Sequence, residues 1–288
     1  MVPQPSVALV TCAELPDLDP DDRLVIAPLA ALGIAAVPAV WDDSAVDWAG
    51  FDLVVLRDPW DYVARRDEFV AWARSVPRLL NPASVVEWNT HKGYLRELAA
   101  AGVPVVATQW FEPGDTFTAP EGAFVVKPAI SAGSKDTGLY READAELAAA
   151  HVERLLAAGR TVMVQPYLAA VEGAGETALL YFASPDGGLS FSHAARKAAM
   201  LIGPDHGADG LYLPEQISTR EPSEAELSVG ERAIAAAPAG LLYARVDLIA
   251  DADGAPVLIE LELTEPSLFL GMRDDAAAGF ARAIASRL

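Results

Sequence analysis

The sequence predicts an α/β protein that also contains antiparallel α+β parts, and three observations carry that prediction. Apolar runs of strand length alternate with helix-length segments through the first third of the chain. Two later apolar runs flank Asp253-Gly254, a dipeptide typical of two-residue hairpins. The length of 288 residues is large for one hydrophobic core and suits two or three small subdomains.

The opening segment predicts a small open sheet with helices. Its patterns indicate a β-α-β-β-α order, with elements at Ser6–Thr11, Asp21–Leu32, Ile34–Val40, Leu53–Leu56 and near Arg66–Arg74. Open α/β sheets bind ligands at the loops beyond the carboxyl ends of their strands, so a site is expected there.

Polar and aromatic residues directly follow the third of these strands. The candidate substrate-binding residues are Arg57, Trp60, Asp61 and Tyr62, and Arg57 is suited to hold a substrate carboxylate. A surface ion pair of Arg57 with Asp58 or Asp61, and a core position for Trp60, are the alternatives.

A boundary is predicted at Asn81-Pro82, followed by a helix over His91–Ala101 with Asn89 or Thr90 as its cap. Lys92 falls in the first turn of that helix, where a positive charge opposes the helix dipole. This conflict indicates a functional role, and a solvent-exposed lysine is the alternative.

Outside the hairpin, the rest of the chain predicts four strands and three helices, the last helix lying after the hairpin. Strands are expected at Ala123–Pro128, Thr161–Pro166, Glu176–Ala183 and Ser190–Ala195, and helices at Asp144–Ala158, Ser223–Ala237 and Asp274–Arg287. Lys127 interrupts the first of these strands, and the loop SAGSKDTG after it offers backbone N–H groups suited to phosphate. A second Gly-rich loop is expected from Gly203 to Gly210. Neither GxxxxGK[ST] nor GxGxxG after a strand is present.

The hairpin turn at Asp253-Gly254 fixes a register in which Ala252 faces Ala255 and Pro256 faces Asp251. Further along, the same register pairs two acidic residues, Asp247 and Glu260. It also pairs the basic Arg245 with the acidic Glu262. The opposite face is apolar, with Val246, Leu248, Ile259, Leu261 and Leu263.

Facing carboxylates repel each other, so the acidic face of this hairpin predicts a cation. Mg²⁺ prefers oxygen ligands and commonly bridges carboxylates to substrate phosphates. A solvated face of an ordinary amphipathic hairpin is the alternative.

Composition excludes several classes of protein. The formal charge of −20 argues against a nucleic-acid or anionic-membrane partner. Cys12 is the only cysteine, which excludes an intrachain disulfide. No signal peptide or membrane-spanning run is recognised, so a cytoplasmic location is expected.

In motif order and spacing, the chain resembles the ATP-grasp carboxylate–amine ligases. The resemblance implies an ATP-grasp fold, with a small α/β domain at 1–84 and an ATP-grasp domain at 85–288. The latter would comprise a lid subdomain at about 105–168 and a catalytic subdomain at about 169–288. The implied cofactors are ATP and Mg²⁺, with Mn²⁺ as an alternative metal.

The resemblance also implies residue roles. The nucleotide-binding residues would be Lys92, Lys127, Ser134, Gln165, Pro166, Tyr167, Leu168 and Glu176. Asp247, Glu260 and Glu262 would bind magnesium, Arg245 and Lys197 would act catalytically, and Ser267 would contact substrate. One departure stands out, because Glu260-Leu261-Glu262 replaces the usual Glu-x-Asn of the family's metal motif.

Three stretches are most similar to the subgroup that contains the O-ureido-serine cyclo-ligase of cycloserine biosynthesis: Arg-Asp-Pro-Trp-Asp-Tyr, Trp-Asn-x-x-Lys and Glu-Leu-Glu-Leu-Thr-Glu-Pro-Ser. The implied reaction activates a small carboxylate as an acyl phosphate, which a nitrogen nucleophile of the same or another molecule captures, releasing ADP and phosphate. A ligase joining two amino acids or peptides, a small-molecule kinase and a non-catalytic nucleotide-binding protein are the alternatives. A small carboxylate or amino acid is the expected partner, and whether the chain forms a homo-oligomer is left open.

Overall fold

The computed structural model describes residues 4–201, 203–205 and 216–288, which form three sheets. The strands are β1 Ser6–Thr11, β2 Ala35–Val40, β3 Leu53–Asp58, β4 Leu79–Leu80, β5 Gln109–Phe111, β6 Phe124–Pro128, β7 Gly138–Tyr140, β8 Val162–Pro166, β9 Glu176–Ala183, β10 Leu189–Lys197, β11 Ile217–Arg220, β12 Tyr243–Ala250 and β13 Pro256–Glu262. The helices are α1 Ile26–Ala31, α2 Arg66–Ser75, α3 Ala83–Asn89, α4 Tyr94–Ala100, α5 Ala145–Ala157, α6 Ala170–Gly173, α7 Glu224–Ala236 and α8 Ala276–Ala285. Short 3-10 turns lie at Asp22–Val25, Trp48–Gly50, Tyr62–Arg65, Glu142–Asp144 and Leu270–Met272.

The first sheet is parallel, with strand order β2-β1-β3-β4. Alternate residues of β1 point to opposite faces, as strand geometry requires. Val7 and Leu9 pack in a core with residues of α1 and α8, whereas Ala8 and Val10 pack in a second core with residues of α2. Both faces of the sheet are therefore covered, which explains why its strands are continuously apolar.

Two antiparallel sheets follow. The smaller has the order β5-β8-β6-β7, and its core includes buried residues of α5. The larger has the order β11-β10-β9-β12-β13. One face of it shares a core with α8 and the first sheet, and the other face packs with α4 and α7. The domain limits given above stay a prediction.

The hairpin of β12 and β13 keeps the predicted pairing along its acidic part. Arg245 pairs with Glu262 and Asp247 with Glu260, as the register predicts. The charged side chains therefore share one face of the hairpin.

The predicted pairing next to the turn is wrong. Ala252 does not face Ala255, and Pro256 does not face Asp251. Instead, the Asp251 N–H donates to the Ala255 carbonyl over 2.8 Å, which closes a three-residue loop. Gly254 lies in this loop with φ of +81°, a conformation that favours glycine.

A β-bulge at Ile259 compensates for the longer turn. Leu248 pairs with Leu258, whereas Asp247 pairs with Glu260, so Ile259 is the extra residue. The prediction that Ile259 joins the apolar rear face is also wrong, because the bulge turns it toward the cavity described below.

The predicted helix over His91–Ala101 is shorter than expected. Lys92 lies in the turn between α3 and α4, so no conflict with a helix dipole arises, and its N–H donates to the Ala129 carbonyl over 2.8 Å. Asn89 and Thr90 lie at the end of α3 and do not cap the start of a helix. The Asn89 side chain instead bonds across to β13 and its exit, donating to the Leu261 carbonyl over 2.7 Å.

Cys12 is buried, as expected of a lone small apolar side chain. Most of the predicted Gly203–Gly210 loop lies outside the described residues. Within the described part of the chain, no helix is both long and apolar enough to cross a membrane.

Candidate active site

A cavity of about 400 Å³ lies where the three sheets meet. Among the described residues, its charged lining consists of four cationic side chains, Lys92, Lys127, Lys197 and Arg245, and six acidic ones, Asp19, Glu176, Asp247, Glu260, Glu262 and Glu265. The hairpin contributes Arg245, Asp247, Glu260 and Glu262, and β6 and β10 contribute Lys127 and Lys197. Strands from two sheets thus bring the predicted phosphate-binding and metal-binding side chains together.

On the acidic face of the hairpin, cations hold the carboxylates together. Asp247 accepts from Lys197 Nζ over 2.8 Å and from Arg245 Nε over 3.0 Å. Arg245 also contacts Glu262, and Glu260 lies 2.9 Å from Lys92 Nζ. The predicted repulsion between Asp247 and Glu260 is therefore offset by protein cations in this arrangement.

These contacts shift the pKa values of the carboxyl groups in opposite directions. Burial acts to raise the pKa of Asp247, yet Arg245 and Lys197 hold it below its usual value. Burial raises the pKa of Glu262 to about 8, because Asp247 and Glu260 add to it and Arg245 only partly opposes it. A cation that enters this face would favour the ionised form of Glu262.

The two lysines nearest the smaller sheet differ in their contacts. Lys92 Nζ donates to the carbonyl of Ser131 over 2.8 Å and to its hydroxyl over 3.2 Å. The Lys127 ammonium group makes no hydrogen bond or ion pair within the described part of the chain, although the residue is only 8% exposed. Burial lowers the pKa of Lys127. An anionic ligand would satisfy this buried cation.

An apolar slot forms the wall of the cavity around the predicted adenine-binding segment. Val106, Val171 and Ile249 cluster with Tyr167, Leu168, Val257 and Ile259. The Gln165 side chain donates to the Thr108 hydroxyl over 2.9 Å, and the Tyr167 hydroxyl donates to Glu172 over 3.0 Å. The Leu168 N–H has no hydrogen-bond partner among the described residues, so it can donate to a ligand.

The loop SAGSKDTG contains three residues in the left-handed region, Gly133, Ser134 and Asp136, with φ of 60°, 59° and 52°. Such a conformation turns neighbouring N–H groups to the same side and suits an anion. Asp136 accepts from Arg154 over 2.9 Å and from Arg160 over 2.5 Å, which ties the loop to α5 and the residues after it. Ser134 lines the cavity and Lys135 does not.

Side chains from distant elements fix the segment Leu263–Phe269, which leaves β13. Every carbonyl of this segment accepts a hydrogen bond from a side chain: Leu263 from Asn81, Thr264 from Tyr243, Glu265 from Trp60, Pro266 from Arg57, Ser267 from Arg245, and both Leu268 and Phe269 from His193. These bonds are 2.6–3.1 Å long. The segment is therefore rigidly placed against the cavity.

The sequence of this chain is similar to those of known proteins. Residues 7–81 match the family model described as the N-terminal domain of D-cycloserine synthetase DcsG. The cycloserine biosynthesis protein DcsG of Streptomyces lavendulae is 40% identical over 301 residues, covering 98% of each chain. This chain belongs to the DcsG family of ATP-grasp ligases.

Solved structures of a D-cycloserine synthetase and of another ATP-grasp ligase share the fold of this chain. The crystal structure of D-cycloserine synthetase DcsG matches with a TM-score of 0.87 and 38% identity, covering 98% of this chain and 99% of that one. The ATP-grasp ligase PsnB, complexed with a phosphomimetic variant of its minimal precursor, Mg and ADP, matches with a TM-score of 0.64 and 20% identity, over 99% of each chain. The protein is an ATP-dependent, ADP-forming carbon–nitrogen ligase with an ATP-grasp fold.

The ligase does not bring all predicted substrate-binding residues to its cavity. Arg57 is fully buried and donates to Asp22 over 2.7 Å and 3.2 Å, so both the prediction that it holds a substrate carboxylate and the surface ion pair are wrong. Asp61 also lies away from the cavity lining, because it accepts from Trp41 over 2.8 Å and from Arg65 over 2.6 Å. Trp60 lines the cavity.

The other predicted site residues of the ligase line the cavity, and their roles stay predictions. Tyr62 and Ser267 line the cavity, as do all the predicted nucleotide-binding and metal-binding residues and both predicted catalytic ones. Sequence reasoning missed Glu265 and Asp19. Glu265 lies within the Glu-Leu-Glu-Leu-Thr-Glu-Pro-Ser stretch, and that position was the available signal.

Proposed function

We propose that this ligase activates the carboxylate of a small amino acid as an acyl phosphate and closes a ring with a nitrogen nucleophile of the same molecule, as an O-ureido-serine cyclo-ligase does. One observation carries the proposal: four cationic side chains line the same cavity as the acidic side chains of the hairpin. They are Lys92, Lys127, Lys197 and Arg245. Phosphoryl transfer depends mainly on such positioning and charge neutralisation. A cytoplasmic location, where ATP is available, is part of the proposal.

ATP would lie along the wall between the smaller sheet and the hairpin. The apolar slot suits the adenine ring, and the free N–H of Leu168 suits its N1 acceptor. Lys127 lacks a partner in the described residues and is placed to bind a phosphate, with Lys92 beside it. The left-handed N–H groups around Ser134 would add donors above the phosphates.

Asp247, Glu260 and Glu262 fit a magnesium site, since they offer hard oxygen ligands on one face of a rigid hairpin. Magnesium would neutralise charge on the phosphates and orient them when bound. Lys92, Lys197 and Arg245 now contact these carboxylates, so phosphate and metal would exchange partners with them. Glu176, which lies 3.1 Å from Lys197 Nζ, would hold that lysine in place.

The chemistry needs no protein nucleophile. An oxygen of the substrate carboxylate attacks the γ-phosphorus, and the bond to the β-phosphate oxygen breaks to release ADP. The substrate nitrogen then attacks the acyl carbon, and phosphate departs with the electron pair of the carbon–oxygen bond and takes up the proton that the nitrogen loses. Arg245 would stabilise the negative charge of the transferred phosphoryl group. Ring closure is favoured because both reacting groups belong to one molecule.

The test measures ADP, phosphate and products with O-ureido-serine, ATP and Mg²⁺. The proposal expects equal amounts of ADP and phosphate with a cyclised product seen by mass spectrometry. A phosphoester without free phosphate would identify a kinase, and turnover only with two amino acids or peptides would identify an intermolecular ligase. ATP binding without turnover for any acid would identify a nucleotide-binding protein. Each of these three results would overturn the proposal.

A further inference from the structure

Charge is unevenly distributed over the cavity. Glu176, Asp247, Glu260 and Glu262 each have a Lys or Arg within ion-pair distance. Glu265 has no such partner within the described part of the chain, although its carboxylate interacts with the Tyr62 hydroxyl. Among the cavity carboxylates of the hairpin and the segment that leaves it, Glu265 is thus the one that forms no ion pair with a described residue.

Lys92 and Arg245 act on the Glu265 carboxylate only from beyond ion-pair distance, whereas its hydrogen-bonding neighbours follow the first sheet and suit a positive ligand. Trp60 and Tyr62 follow β3 and line the cavity, and aromatic ring faces attract cations. Asp19 also lines the cavity and likewise has no ion-pair partner in the described residues. Arg57, the cation that the sequence led us to expect on this side, is buried and forms an ion pair with Asp22. This side of the cavity therefore suits an ammonium group and not a carboxylate.

The protein also holds Glu265 firmly in place. Its carbonyl accepts from Trp60 Nε1 over 2.9 Å, and the next carbonyl, of Pro266, accepts from Arg57 over 2.7 Å. Burial raises the pKa of Glu265 to about 7, which a bound cation would reverse. A rigidly placed, half-buried carboxylate without an ion-pair partner among the described residues is what recognition of a cation requires.

We propose that Glu265 binds the ammonium group of the amino-acid substrate. The Tyr62 hydroxyl orients the Glu265 carboxylate, and Trp60 and Asp19 complete a cation subsite. This inference rests on the proposed function. It sets the direction of the substrate, with the ammonium group beside the first sheet and the reacting carboxylate toward Arg245 and the hairpin. It also makes a free ammonium group the feature that selects substrates.

The experiment compares Glu265→Gln with wild type, using O-ureido-serine and its N-acetyl derivative, which lacks the positive charge. We expect Glu265→Gln to raise the KM for O-ureido-serine at least about tenfold and to leave the KM for ATP within about twofold, as expected for loss of a charge-assisted hydrogen bond. N-Acetylation should weaken binding to wild type strongly and to the variant little. Glu68→Gln, an exposed carboxylate on α2, is the matched control and should change neither constant.

Two further measurements keep the test decisive. Glu265→Asp keeps the charge and should retain more affinity than Glu265→Gln, which separates recognition from a folding defect. If wild type does not turn over O-ureido-serine, the proposed function fails, and the subsite is judged from calorimetric binding of free and N-acetylated amino acids in the presence of a non-hydrolysable ATP analogue and Mg²⁺. An equal loss of affinity in Glu265→Gln for the free and the N-acetylated amino acid would overturn the subsite. So would an unchanged affinity of Glu265→Gln for the free amino acid.

Discussion

Replacing Arg57 with Met tests whether this arginine supports the fold or contacts substrate. Arg57 is fully buried, makes two hydrogen bonds to Asp22 and donates to the Pro266 carbonyl. Removing it leaves the buried Asp22 carboxylate without its cation. Loss of one partner of a buried ion pair costs about 3–5 kcal/mol. For a chain of this size, such a loss lowers the melting temperature by roughly 10 °C.

The assay is urea unfolding combined with steady-state kinetics in which each substrate is varied separately. Arg65→Ala is the control, because Arg65 forms partly exposed ion pairs with Asp42 and Asp61 that are worth about 0–1 kcal/mol. The double variant Asp22→Leu/Arg57→Met should recover much of the stability, since no buried charge is then left unpaired.

Kinetics distinguish support of the fold from direct contact with substrate. We expect the KM values for the acid and for ATP to change together in Arg57→Met, because Pro266 lies in a segment whose Glu265, Ser267 and Phe269 line the shared cavity. Unchanged stability together with a selective rise in the KM for the acid would refute the reasoning and restore Arg57 as a substrate contact.

Three more predictions follow from the cavity and the first sheet. Asp247→Asn or Glu260→Gln should remove magnesium-dependent ADP formation and lower the metal-free melting temperature, because each variant leaves a lysine or arginine less neutralised; a raised melting temperature would show that carboxylate repulsion prevails. Lys127→Ala should weaken ATP binding measured by calorimetry more than Lys135→Ala does, since only Lys127 lines the cavity, and a reversed order would make the loop lysine the main phosphate contact. Burial raises the pKa of Asp58 to about 10, so the folded state retains a proton that the unfolded chain releases above about pH 4, and the free energy of unfolding should fall as pH rises between these values. Asp58→Asn should flatten that slope in urea titrations at pH 6 and 9, and an unchanged slope would assign it to other groups.

Features of this ligase that depend on local pattern can be read from its amino-acid sequence. Apolar runs located the longer strands of the sheets, because alternation and strand length are set within a few residues. They missed the short strands β4, β5, β7 and β11. The Asp253-Gly254 signal located the hairpin and brought Asp247 opposite Glu260, although the turn is one residue longer than predicted. That pairing held only because the bulge at Ile259 compensates for the longer turn, and a bulge leaves no reliable mark in a single sequence.

Features that depend on residues distant in the chain follow only from the folded structure. Arg57 follows a strand end, where ligand contacts are expected, yet it bonds to Pro266, which is 209 positions away in the chain. Lys92 reaches the site from a turn and not from a helix, since Asn89 bonds to β13 and its exit. Glu265 shows no local pattern that marks it as lacking an ion-pair partner among the described residues. Its place in the cavity depends on which cations the fold brings near, and charge pairing across sheets cannot be read from neighbours in sequence.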